Sequence, residues 1–158
     1  RAARPNTPET GNIYDHFAAT FEYPGGVKGF HMSRHFPNCA NDNSAYIAGS
    51  KGIFTMHPWT PTHSIEGETP WKYSGRGGDM YLSEHKVLFK SIRDAAARND
   101  GEWMARSTSL GIMARKAAYT GQKVTWSQMI ESNESIVPTM GHWGNLPTPA
   151  VAVPGRNS

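Results

Sequence analysis

The sequence predicts an α+β domain: an open antiparallel sheet with helices packed on one face and an extended Pro/Gly-rich C-terminal tail. Three observations lead there. Apolar and polar residues alternate in hairpin-like stretches up to Tyr73, helical periodicity takes over from Asp79, and Pro and Gly crowd the chain after Pro138. Strands followed by helices, rather than strict alternation, give the α+β class.

The first hairpin is read from Ile13–Tyr23 and Val27–Phe36, joined by the turn-forming Pro24-Gly25-Gly26. With Gly25-Gly26 as the loop, Phe21 faces Phe30, Ala19 faces Met32 and Phe17 faces Arg34. His16, Thr20, His31, Ser33 and His35 then share the opposite, polar face. A three-residue loop would shift this register by one. A second hairpin joins Ala45–Ala48 to Ile53–Met56 through Gly49-Ser50-Lys51-Gly52, and short extended pieces follow at His63–Ile65 and Trp71–Tyr73.

Asp79 is the expected N-cap of a helix whose apolar stripe is Tyr81, His85, Leu88, Ile92 and Ala95. Asp100 is placed to start a second helix that runs to about Tyr119, with the stripe Trp103, Ser107, Leu110, Ala114 and Ala117 and a stop at Gly121. Thr125 and Gln128 have capping-box spacing and begin a short third helix. In the tail, Trp143, Leu146, Val151 and Val153 favour wrapping over the domain.

A length of 158 residues at 37% hydrophobic content supports one domain over residues 1–158. The net charge of +3 comes from basic residues scattered along the chain, whereas nucleic-acid binding needs a concentrated basic face. A single cysteine, Cys39, excludes an internal disulfide and leaves the compartment open. No stretch approaches the roughly eighteen apolar residues of a membrane span. The first residue is not Met, which leads to the expectation that residues precede Arg1.

Dinucleotide binding needs a glycine-rich turn between a buried parallel strand and a helix. The nearest stretch, Gly75-Arg76-Gly77-Gly78-Asp79-Met80, has Met80 where the third glycine belongs, and no P-loop occurs. Seven histidines invite a metal reading. On a strand, His31 and His35 stand about 13 Å apart and share no ion. His16 and His35 face each other in the proposed register without an obvious third ligand, so a structural or substrate-binding role outweighs metal. His85 reads as a satisfied core histidine, and His57, His63 and His142 as loop residues. Glu66 and Glu68 read as solvated charges rather than a glycosidase pair, and no nucleophile elbow appears.

Several longer runs carry a resemblance. They are Gly11-Asn12-Ile13-Tyr14-Asp15-His16-Phe17, Asn41-Asp42-Asn43-Ser44 with its following Gly49-Ser50-Lys51-Gly52, Glu66 to Tyr73, Asn99 to Thr108, and Ala117 to Gln122. The chain resembles, from about Gly11 to its end, the C-terminal half of Gfo/Idh/MocA oxidoreductases, in the branch common in polysaccharide-degrading bacteria. The resemblance implies an intact protein with an N-terminal Rossmann domain holding NAD or NADP, absent from these residues, and a C-terminal domain that closes a sugar site and forms a homo-oligomer through its open sheet. It implies a bacterial cytoplasmic or periplasmic setting.

The family's catalytic lysine lies in a Lys-Pro motif, and none of the seven lysines here precedes proline; its acid/base histidine is expected before Arg1. The expectation is therefore no catalytic group and no cofactor on this chain alone, with His16, His31, Arg34 and Asn43 as substrate contacts. Members often carry proline where Ala97 stands, which leads to a longer first helix. Two alternatives stay open: a free-standing carbohydrate- or protein-binding domain without redox activity, and a lyase or hydratase on oxidised sugars.

Overall fold

The computed structural model describes residues 11–137, 144 and 149–156. Its order is β1 (His16–Glu22), β2 (Lys28–Arg34), β3 (Ala45–Gly49), β4 (Gly52–Met56), β5 (Ser64–Gly67), β6 (Trp71–Lys72), α1 (Met80–Arg93), α2 (Gly101–Thr120) and α3 (Trp126–Ile130). All strand pairs are antiparallel and both sheets are open, so the α+β class read from the sequence is the class of the structure. Contacts divide the chain into two units: residues 1–37 with 100–158, and the inserted residues 38–99.

In the first unit β1 and β2 form a hairpin. Tyr23 N–H donates to the Val27 carbonyl at 2.9 Å, closing a single 3-10 turn over Pro24–Gly26. Gly25 and Gly26 both take left-handed φ, +79° and +81°, which an L side chain adopts at a cost. Three loop residues instead of two move the register by one: His16 pairs Arg34, Ala18 pairs Met32, Thr20 pairs Phe30 and Phe21 pairs Gly29. This corrects the face assignment. His16 lies on one face with Arg34, Met32 and Phe30, whereas His31 pairs Ala19 and lies on the other face, with Phe17 and Ser33.

Helix α2 packs on that second face through Tyr119, whose ring lies 6.1 Å from Phe17. It stops at Gly121, which takes φ +70°, and the Gly121 N–H donates back to the Ala117 carbonyl. Asp100 is the N-cap by position but its side chain caps nothing. Thr125 and Gln128 form the full capping box of α3. Lys116 of α2 holds Glu134 at 2.7 Å.

In the second unit the strand order is β3-β4-β5-β6. The register puts Ile47, Phe54, Ile65 and Trp71 in one row across all four strands, and Tyr46, Thr55, Ser64 and Lys72 in a row on the other face. Gly67 has φ +151°, and a Cβ there would meet the Lys51 carbonyl oxygen at 2.2 Å, so the β4–β5 ladder requires glycine. Asp79 caps α1, accepting from the Tyr81 and Leu82 amides at 2.9 and 3.1 Å.

Two expectations fail at this helix. It ends at Arg93 rather than running on, because Asp94 closes it and Ala95 turns to φ +49°, outside helical space. His85 is exposed, not core; its Nδ1 lies 2.7 Å from the Tyr81 carbonyl one turn back. The described part of the tail does wrap: Gly155 N–H donates to the Thr120 carbonyl at 2.9 Å, and Val151 and Val153 are half-buried. His142, Trp143 and Leu146 lie outside the described residues.

Candidate functional site

Only Tyr14 and Asp15 are buried among the described residues, at 6% and 5% exposure. They stand just before β1, and what holds them is specific. Tyr14 N–H donates to the Tyr119 hydroxyl at 2.9 Å, and the Tyr14 hydroxyl donates to the Ala152 carbonyl at 2.7 Å. The two tyrosine rings stack at 4.3 Å, and the Arg115 guanidinium lies 4.6 Å over Tyr119. One residue later, the Asp15 carbonyl accepts the His35 N–H at 2.8 Å, continuing the β1–β2 ladder.

The Asp15 carboxylate has no exposed surface, and its Oδ1 lies 2.7 Å from Nδ1 of His16. Against an ionised Asp15 carboxylate, which only accepts hydrogen bonds, Nδ1 carries the proton. That leaves Nε2 as the acceptor of a half-exposed imidazole, 43% open to solvent. The ring lies 6.2 Å from Phe36. Directly across the ladder stands Arg34, a fixed cation with several donors. The site therefore offers an imidazole oriented by Asp15, an arginine at the facing position of the neighbouring strand and a nearby aromatic ring, a set suited to a polyhydroxylated or anionic small molecule.

The four substrate-contact residues expected from the sequence divide. His16 and Arg34 come together; His31 lies on the opposite face of the same hairpin; Asn43 belongs to the 38–99 unit, just before β3. Near Asn43, the Ser44 hydroxyl and amide hold the Asp42 carboxyl below its ordinary range. Asp15, Tyr14 and Tyr119 were missed. Alternation puts residues 15 and 16 on opposite sides of a strand, but Asp15 lies in the bend before β1, where that rule lapses. The signal available was Tyr14-Asp15-His16 within the resembling run.

No family model matches the chain, and neither does any curated protein or solved structure.

A cavity of about 420 Å³ opens between the end of α2 and the tail, lined by Tyr119, Gln122, Ala152 and Arg156 among others; none of its lining residues is His16, His31, Arg34 or Asn43. Among the described residues no three His, Cys, Asp or Glu gather to hold a metal ion, and no helix is long and apolar enough to cross a membrane. Gly75–Asp79 does not stand in a Rossmann-type strand-turn-helix: α1 follows it, but the strand before it is the two-residue antiparallel β6, not a buried parallel strand. His63 keeps a buried Nδ1 without a hydrogen-bond partner, its ring 5.5 Å from Tyr73.

Proposed function

We propose that the chain is the substrate-binding and oligomerisation half of an NAD(P)-dependent oxidoreductase acting on a sugar or sugar derivative. The observation that carries the reading is the Asp15-held imidazole of His16 beside Arg34 on one face of the β1–β2 hairpin. A hydroxyl donates to Nε2 while Arg34 donates to a neighbouring oxygen, and neither contact requires a group on the nicotinamide. The nicotinamide and its binding domain are supplied outside residues 1–158, and alone the chain binds substrate without turning it over.

A homo-oligomer through the open sheet is the second part of the proposal. The row Ile47, Phe54, Ile65 and Trp71 supports it, with Ile47 at 65% and Trp71 at 46% exposure. A second copy offers the same row, and the self-complementary patch of a twofold dimer needs nothing else.

Calorimetric titration of the purified chain with aldoses, uronates and NAD(P) tests the reading. Millimolar sugar binding that weakens about tenfold in His16→Ala and in Arg34→Ala is expected, since each loses a hydrogen bond to a charged or oriented group worth roughly 1.5 kcal/mol. Micromolar NAD(P) binding, or sugar affinity indifferent to both substitutions, would overturn it.

The Asp15–His16 pair also favours a second reading, a lyase or hydratase on oxidised sugars. In that chemistry Nε2 takes the proton beside a keto group, the C–H electron pair forms a C=C bond, and the β-hydroxyl leaves as water with the proton returned by the imidazolium. Turnover of a keto-sugar by the chain without nicotinamide decides for it; an Arg34-dependent sugar complex that is chemically inert decides for the first.

A further inference from the structure

We infer that Tyr119 is a positioning residue for His16, acting through Tyr14 and completed by the tail carbonyl of Ala152. His16 can accept a substrate proton at Nε2 only while Nδ1 keeps its own proton on Asp15, and that contact needs Asp15 to stay where it is. Two bonds fix the Asp15 backbone from either side. On the C-terminal side its carbonyl receives the His35 N–H. On the N-terminal side the planar peptide joins it to Tyr14, leaving few soft torsions between them.

Tyr14 is in turn held at both ends. Its amide rests on the Tyr119 hydroxyl and its own hydroxyl on Ala152, with the two rings stacked between. Tyr119 sits in the last turn of α2, which the left-handed Gly121 ends and to which Gly155 bonds at Thr120. Three distant segments of the first unit thus meet at one residue, two positions before the imidazole. Packing alone would need only the stacked rings. The hydroxyl of Tyr119 adds a directed bond to a main-chain amide that otherwise has to be satisfied in a buried setting.

The inference rests on the reading of His16 as a substrate contact, but its test does not need a substrate. Long-range proton–nitrogen spectra of the His16 ring report which nitrogen carries the proton. In the unaltered chain the neutral ring should hold it on Nδ1. Tyr119→Phe, which keeps the stack and drops the hydroxyl, and Tyr14→Phe, which drops the bond to Ala152, should each move a large share of the ring to the Nε2-protonated form that free histidine prefers in water. Where sugar binds, Tyr119→Phe should weaken it threefold to tenfold.

An unchanged tautomer in folded Tyr119→Phe and Tyr14→Phe overturns the inference. So does loss of the folded state in both, read by circular dichroism, because the tyrosines then serve folding alone. A tautomer that moves in a chain binding no sugar upholds the inference and removes the proposed substrate role.

Discussion

At the end of β1, Glu22 stands between two cations: Lys123, bonded to one carboxylate oxygen, and Lys28 across the ladder, 3.8 Å from the other. The bond and charge of Lys123, then the charge of Lys28, hold its carboxyl below the ordinary 4.5. A folded-state pKa below the unfolded one gives stability that is present above about pH 4.5 and lost as pH falls through the folded value. Glu22→Gln should therefore lower the melting temperature slightly at pH 7 and flatten the acid arm of the profile below pH 5, so that the two chains converge at low pH. Added salt should mimic it, because the group is exposed and screened. Single residues were the least legible scale. His16 and Arg34 were both singled out in the sequence, but the register that pairs them was not, since one additional turn residue exchanges Phe17 for His16 opposite Arg34. Asp15 escaped notice because a buried carboxylate beside a histidine looks, in sequence, like any two polar neighbours.

Among the elements, caps and stops followed the sequence most closely. Asp79, the Thr125–Gln128 box and Gly121 all do what their positions predict, because each depends on backbone geometry within a few residues. Where an element ends without such a signal, legibility fell: nothing at Ala95 announces a left-handed turn, and α1 stops short of its expected length. Gly121 carries a further constraint, since a Cβ there would approach the Pro154 side chain at 2.9 Å. Gly121→Ala should lower stability by about 1–2 kcal/mol from the left-handed strain alone and additionally lift the tail from α2. Urea melts with amide exchange at Gly155 check both parts; protection at Gly155 that survives the substitution would separate tail docking from the helix stop. Asp79→Ala should cost about 1 kcal/mol by the same melts.

For the whole molecule, the α+β class was legible from periodicity, while the division into two units was not, because sequence reports which residues are apolar and not which contacts they choose. Among the described residues of the second unit large apolar side chains stay exposed, Ile47 and Trp71 in the sheet row and, on α1, Leu88 and Ile92 at 52% and 64%. Large contiguous patches of that kind are uncommon on monomeric proteins, which makes the oligomer proposal testable here. Ile47→Asp should convert any dimer of the chain to monomer in light scattering after size exclusion, with the circular dichroism unchanged; a chain that is monomeric before the substitution contradicts the oligomer proposal. The clamp at Tyr14 has a consequence in time as well as in space. Its hydroxyl finds its acceptor 138 residues further along, so a ribosome must finish residue 152 before the bond can form. Closing so long a loop is paid in entropy and comes late. A chain cut before residue 152 can therefore hold its hairpin and still lack the bond that clamps the Tyr14 ring.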